Sequence, residues 1–309
     1  MKVYRNLDTL PAFQKAVVTI GTFDGVHKGH QKIIQQLLAE SEETGGESVL
    51  ITFNPHPRKI VRPEINLMQL TTLDERIGLL KQYGINNLVV VPFTKAFSEQ
   101  SALDYIDKFL VERFHPAKII IGYDHKFGNN RSGNFQLLEQ YADQYQYKVK
   151  EIDEQLINDA IISSTRIRES LLKGDVDTAN NYLGYHYFFT GLVVEGNKLG
   201  RTIGYPTANL QMNDPDKLVP GNGVYTVTAQ LEGKTRILNG MMNIGTRPTV
   251  DGSHRVIEVN LFDFDEDIYD RHLRICIKHF LRHEQKFNGI EALKNQLHKD
   301  KQQSIELLK

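Results

Sequence analysis

The chain has 309 residues, 24% charged and 40% hydrophobic, with a formal net charge of -1, long enough for two domains that each bury a core. The balanced charge leaves no global basic footprint for nucleic acid, and no apolar run reaches membrane-spanning length. Cys276 is the one cysteine, which excludes an internal disulfide and fits a reducing compartment, and the polar opening (residues 1–13) lacks the apolar core of a signal peptide. A cytoplasmic protein is expected.

In the first half, short apolar or β-branched runs at 16–20, 48–53, 87–92, 117–121 and 146–152 alternate with helical patterns. One helix is predicted at 73–83, opened by the capping pattern Thr72-x-x-Glu75, and another at 102–114 after Ser101. This alternation predicts an α/β domain with a doubly wound parallel sheet, whose ligands sit beyond the carboxyl ends of the strands. There lies Gly21-Thr-Phe-Asp-Gly-Val-His-Lys-Gly-His30, a glycine-punctuated turn that leads His27 and His30 into a helix. A helix start carries unpaired N–H groups and a positive partial charge, so it attracts phosphate. Histidines three residues apart share a helical face and can grip a triphosphate. A lone H-x-x-H reads more simply as a surface turn. Gly21, Gly25 and Gly29 with Asp24 shift the balance toward a nucleotide site. The G-x-G-x-x-G fingerprint is absent, so an oxidoreductase is not indicated.

Three more stretches follow predicted strands or open a helix. Thr52-Phe-Asn-Pro-His-Pro57 and Gly122-Tyr-Asp-His-Lys-Phe-Gly-Asn-Asn-Arg-Ser-Gly133 sit after the second and fourth runs. Ile162-Ser-Ser-Thr-Arg-Ile-Arg168 offers hydroxyl, N–H and guanidinium donors suited to β and γ phosphates, although alone it reads as an N-cap with surface arginines.

From about residue 182 the rhythm changes. Runs at 187–195, 223–231, 235–244, 256–262 and 273–280 predict five strands, and Ile290, Leu293 and Leu297 mark a final helix. A small β-barrel or sandwich with a covering helix is expected, giving domains 1–181 and 182–309. Gly196-Asn-Lys-Leu-Gly-Arg-Thr-Ile-Gly-Tyr-Pro-Thr-Ala-Asn-Leu210 places Gly196, Gly200 and Gly204 at four-residue intervals, letting backbone approach phosphate closely. It is no P-loop, because Asn197 and Lys198 follow Gly196 where Lys and Ser/Thr are required. In Val256-Ile-Glu-Val-Asn-Leu-Phe262, alternation sets Ile257, Val259 and Leu261 on one face and Glu258 with Asn260 on the other.

The G-T-F-D-G-V-H-K-G-H stretch resembles the signature of nucleotidyltransferases that release pyrophosphate. Its wording is closest to the bacterial bifunctional riboflavin kinase/FMN adenylyltransferase family, and Pro206-Thr-Ala-Asn209 resembles that family's kinase signature. The resemblance covers nearly the whole chain. It implies adenylyl-transfer roles for His27, His30 and Arg168. Nucleotide or flavin contacts are implied for Gly21, Phe23, Asp24, Gly29, Asn54, Asp124, Phe127, Arg131, Ser163, Ser164 and Thr165. In the second half it implies phosphate or flavin contacts from Gly196, Gly200, Gly204 and Arg282, Mg2+ ligation by Thr207 and Asn209, and Glu258 as catalytic base. His125, Lys126 and Asn260 depart from the family pattern.

The implied substrates are ATP, riboflavin and FMN, with Mg2+, FAD as product, and hand-over of flavin to apo-flavoproteins; no nucleic acid or membrane partner is expected. An FMN phosphate, with a second pKa of about 6, is mostly dianionic and attacks without a base, whereas the riboflavin hydroxyl gains from one. An adenylyltransferase with a non-phosphorylating barrel, a flavin sensor and a tRNA-handling protein stand as alternatives. The neutral charge argues against the last, and Glu258 beside a metal-ligand pair argues against a sensor.

Overall fold

Strands buried on both faces read as unbroken apolar runs, and the central ones here do. The computed structural model describes residues 1–152, 162–196, 199–249 and 252–309. They form two compact units, Met1–Ser163 and Ser164–Lys309.

The first unit is a six-stranded parallel sheet in the order β1-β4-β3-β2-β5-β6. Its strands are β1 (Lys2–Tyr4), β2 (Val17–Ile20), β3 (Ser48–Asn54), β4 (Asn87–Pro92), β5 (Lys118–Gly122) and β6 (Lys148–Ile152). Val18, Ile20, Val49, Ile51, Val89, Val91, Ile119 and Ile121 face a core completed by Tyr105, Phe109, Phe114 and Leu138. The helix Lys28–Thr44 packs on β2, β3 and β5 and buries Ile34 and Leu37. From β2 the chain winds to β3 and β4 on one side and later to β5 and β6 on the other. The carboxyl end of β2 is therefore the switch point at which such sheets bind ligands.

The capping box predicted at Thr72 and Glu75 is present in both directions and opens the helix Leu73–Lys81. Ser101 caps the second predicted helix, which runs from residue 102 to 114 through a π-helical stretch, Tyr105–Val111. Strand β1 was not predicted: three residues on the sheet edge, two of them exposed, leave no apolar run to read.

One charged cluster fastens the helix Lys28–Thr44 to the sheet. The Glu40 side chain, 5% exposed, accepts from Lys118 on β5 and, at 2.6 Å, from Lys150 on β6. These two hydrogen bonds pull its pKa from the ordinary 4.5 to about 2. A carboxylate depressed in the folded state stabilises it above the unfolded pKa and loses that contribution as pH falls. We expect Glu40→Gln to cost about 2 kcal/mol at pH 7, with the difference from the parent shrinking between pH 4.5 and pH 2. Urea unfolding at several pH values measures this, and a pH-independent difference would refute it.

The second unit opens with helices Ser164–Leu172 and Val176–Leu183. Sequence rhythm counted them with the first domain, yet they bond to the barrel. Gly221 N donates to Leu171 O, Asn180 Nδ2 to Ile277 O, and His279 Nδ1 lies 3.1 Å from Asp177. The barrel is closed, in the order β10-β11-β8-β7-β12-β9. Its strands are β7 (Phe188–Val194), β8 (Ala208–Met212), β9 (Gly223–Leu231), β10 (Ile237–Thr249), β11 (Gly252–Leu261) and β12 (His272–Arg282). Five strands were predicted. The sixth, β8, comes from the segment that reads in sequence as a phosphate loop.

The final helix, Ile290–Leu307, covers β9, β10 and β12, but not through the apolar residue that opens its predicted stripe, since Ile290 is 59% exposed. Its buried residues are polar. Asp300 holds the Arg282 guanidinium through Nε at 3.0 Å and Nη2 at 2.7 Å, and Ser304 meets Thr226 at 3.1 Å.

Candidate active sites

The loop between β2 and the helix Lys28–Thr44 is tightly constrained. Phe23, Gly25 and Val26 all have left-handed φ values of 48°, 81° and 39°, and only the glycine takes that conformation without cost. What over-determines the loop lies beneath it. The carboxylate of fully buried Asp24 accepts from the amides of Leu70 at 3.1 Å and Thr71 at 2.9 Å and from the Thr71 hydroxyl, while Gly25 N donates to Thr71 Oγ1. Strain held in this way is typical of a pre-organised site.

Arg76 closes the network. It is 1% exposed, donates to Thr52 Oγ1, Phe53 O and Gln69 Oε1, and lies 4.0 Å from Asp24. Sequence reading missed Arg76 and Thr71. The available signal was spacing, because Arg76 shares a helical face with buried Leu79 and Leu80.

His27 is the N-cap of its helix, its Nδ1 accepting from the His30 amide at 3.3 Å. An accepting Nδ1 carries no proton, so a neutral ring keeps its proton on Nε2. The His30 ring stacks on it, with centroids 3.7 Å apart and planes 17° apart, and leans on Phe23 at 5.0 Å. Burial first, then His27 and then Arg76 hold the His30 pKa well below its ordinary 6.5. The ring is therefore uncharged near neutral pH.

The structure brings Gly21, Phe23, Asp24, His27, Gly29 and His30 together, but Phe23 and Asp24 are buried supports. A Cβ at Gly21 would press on the Phe23 ring at 3.1 Å. Asn54 ends β3 and Asp124 follows β5, both exposed at the carboxyl ends of these strands, the end of the sheet where the histidine loop lies. Arg131 is exposed too. Phe127 is core: 6% exposed, stacked on Tyr105 at 4.8 Å and pressed against Gly133. Burial drives the neighbouring His125 down to about 4. Ser163 closes the first unit, while Ser164, Thr165 and largely buried Arg168 belong to the first helix of the second.

In the second unit the glycines of the predicted loop have separate reasons. A Cβ at Gly196 would collide with the Asn209 side chain at 2.0 Å, and one at Gly200 with Tyr205 O at 2.2 Å. Gly204 is left-handed, with φ 84°. Asn197 and Lys198 of that loop lie outside the described residues. Asn260, the departure from the family pattern, donates from Nδ2 to Pro206 O at 2.7 Å and so pins the turn that leads into β8.

Strand alternation then does the assembly. Ile257, Val259 and Leu261 are buried, as expected, which turns Glu258 to the outer wall. Glu258 pairs in register with Asn209 on β8 and Asn243 on β10, a cross-strand polar row next to Thr207. Arg247 reaches Glu258 Oε2 at 3.1 Å. Beyond Pro206 opens a cleft of about 690 Å³, lined by Tyr205, Asn260, Phe264, Lys294, His298 and Lys301 among others. Arg282, expected at a ligand, spends its guanidinium on Asp300 and the His283 carbonyl.

A histidine that caps a helix at a parallel-sheet switch point with a second stacked on it, and a barrel wall with a carboxylate among oxygen donors, define a chain of two phosphate-transfer units. A family model described as FAD synthetase matches residues 10–166, and one described as riboflavin kinase matches 183–308. Curated relatives named bifunctional riboflavin kinase/FMN adenylyltransferase include those of Haemophilus influenzae, 37% identical over 93% of this chain and 92% of its own, and Bacillus subtilis, 38% over 94% and 92%. That of Escherichia coli K12 is 33% identical over 97% and 96%. The chain belongs to the bifunctional riboflavin kinase/FMN adenylyltransferase family. A crystal structure from Streptococcus pneumoniae, described as a macrolide-efflux protein, superposes with a TM-score of 0.87 at 31% identity, over 97% of both chains. Among the described residues no helix is long and apolar enough to cross a membrane.

Proposed function

We propose that the chain makes FAD from riboflavin in two ATP-consuming steps, with the barrel unit, Ser164–Lys309, forming FMN and ADP and the sheet unit, Met1–Ser163, joining FMN to AMP with release of pyrophosphate. The observation that carries this reading is the presence in one chain of two differently equipped sites. The Glu258 row suits a neutral alcohol that must lose a proton as it attacks. The His27–His30 loop, with no carboxylate turned outward from it, suits a phosphate that is already an anion. Ser163, at the end of the sheet unit, serves in the same proposal as a donor to the terminal phosphates of ATP.

In the kinase step ATP takes the cleft beside Pro206, with its phosphates toward Thr207 and Asn209. The missing side chains at Gly196 and Gly200 let Asn209 and Thr207 pack close to the loop backbone, and their side-chain oxygens are hard donors, a set that fits Mg2+. Thr207 and Asn209 would hold the ion, which would supply charge neutralisation on the triphosphate. Glu258 accepts the proton of the ribityl hydroxyl. Flavin is then handed to apo-flavoproteins in the cytoplasm.

Following riboflavin with ATP and Mg2+ by chromatography tests the reading. FMN should appear first and FAD second, and excess chelator should stop both. Undiminished turnover in chelator would remove Mg2+ from the proposal; a protein that forms neither flavin would remove the proposal itself.

A further inference from the structure

Arg247 stands on β10 four residues beyond Asn243, the cross-strand partner of Glu258. Its guanidinium turns back along the outer wall to meet Glu258 Oε2 at 3.1 Å, although the side chain is 62% exposed and Glu258 itself 26% exposed. An ion pair this open is screened by water, contributes little to stability and separates readily. It is therefore a poor structural clip. By contrast Asp300 and Arg282 meet through two nitrogens with the carboxylate buried.

We propose that Arg247 is a catalytic residue of the kinase step: it pairs with Glu258 while the site is empty and turns to the transferring phosphoryl group when ATP and flavin are bound. The proposal rests on the kinase reading above. Phosphoryl transfer places two anions side by side, the base and the γ-phosphate, with the attacking hydroxyl between them. As the hydroxyl oxygen bonds to γ-phosphorus, the bond to the β,γ-bridging oxygen breaks, ADP leaves with that electron pair, and the proton passes to Glu258. Charge on the equatorial oxygens then needs a donor that costs little to reorganise. Asn209, proposed for the ATP phosphates, is the register partner of Glu258 on the other side. A guanidinium already touching Glu258 is within one side-chain swing of the transferred group. Its planar fork suits phosphate as well as carboxylate. Once protonated, Glu258 lacks the charge that held Arg247, so the guanidinium is not drawn back before the phosphoryl group has been transferred.

The test measures riboflavin phosphorylation by the full chain for the parent, R247A, R247K, E258Q and the double variant, with flavin affinity followed by fluorescence and FMN adenylylation as an internal control. R247A should lower kcat roughly 10²-fold or more, leave flavin affinity and adenylylation near parental, and recover in part in R247K. Because Arg247 acts on phosphate and not only through Glu258, the double variant should fall further than E258Q alone. R247A at the parental rate beside an inactive E258Q would overturn the inference while leaving the kinase reading intact. A double variant no slower than E258Q would overturn it as well. A parent that forms no FMN would fail the kinase reading, and the inference with it.

Discussion

Replacing Glu258 by glutamine should lower riboflavin phosphorylation roughly 10²–10⁴-fold and leave the conversion of supplied FMN to FAD unchanged. Glutamine keeps the length and hydrogen-bonding reach of glutamate but does not take a proton at neutral pH. Glu258 lies on the outer wall of the barrel, between Asn209 and Asn243, with its neighbours Ile257 and Val259 turned into the core. The substitution thus leaves the packed interior untouched, and thermal unfolding should be close to parental. FMN adenylylation is insensitive for a chemical reason: the attacking phosphate is already ionised. Steady-state rates for both reactions on one preparation check this. A variant that phosphorylates riboflavin at the parental rate would make Glu258 a strand-surface residue and nothing more.

The mirror experiment removes both histidines. His27→Ala with His30→Ala should abolish FAD formation while FMN accumulates from riboflavin. Each contact to developing charge contributes roughly 10²–10³ in rate, and this pair stacks at 3.7 Å as a single unit, so the two losses should not simply multiply. The His27 substitution also deletes an N-cap, at a cost of about 1 kcal/mol. His27→Asn separates these effects, because asparagine caps a helix well but presents no imidazole. If capping were the whole role, His27→Asn would make FAD at the parental rate. If the ring is needed, the variant stays stable and slow.

Much of this was legible beforehand. The parallel sheet was visible as strand and helix alternation, the Thr72–Glu75 capping box as a local pattern, and the outward turn of Glu258 as a period of two. Each depends on neighbours in sequence. What escaped depended on distant partners. Arg76 reads as one more charged residue of an amphipathic helix until Asp24, Thr52 and Gln69 are found around it. Phe127 and Arg282 sit in stretches that match ligand-binding motifs, yet one packs into the aromatic core and the other clamps the last helix. The helices at 164–183 continue the rhythm of the first half, and only their bonds to Ile277 and Gly221 reveal which unit they fold with. An isolated kinase fragment should therefore begin at Ser164.

Strand β8 has a further consequence. The residues proposed to hold ATP, Thr207 and Asn209, lie at and within the strand that closes the barrel between β7 and β11. Drift in this segment is penalised twice, once in turnover and once in the yield of folded protein. Deletions or proline insertions there should surface in cells as low abundance and proteolysis before any kinetic defect can be measured. A silent barrel that keeps its shape is reachable only through side-chain exchange, with the Ala208–Met212 backbone left whole.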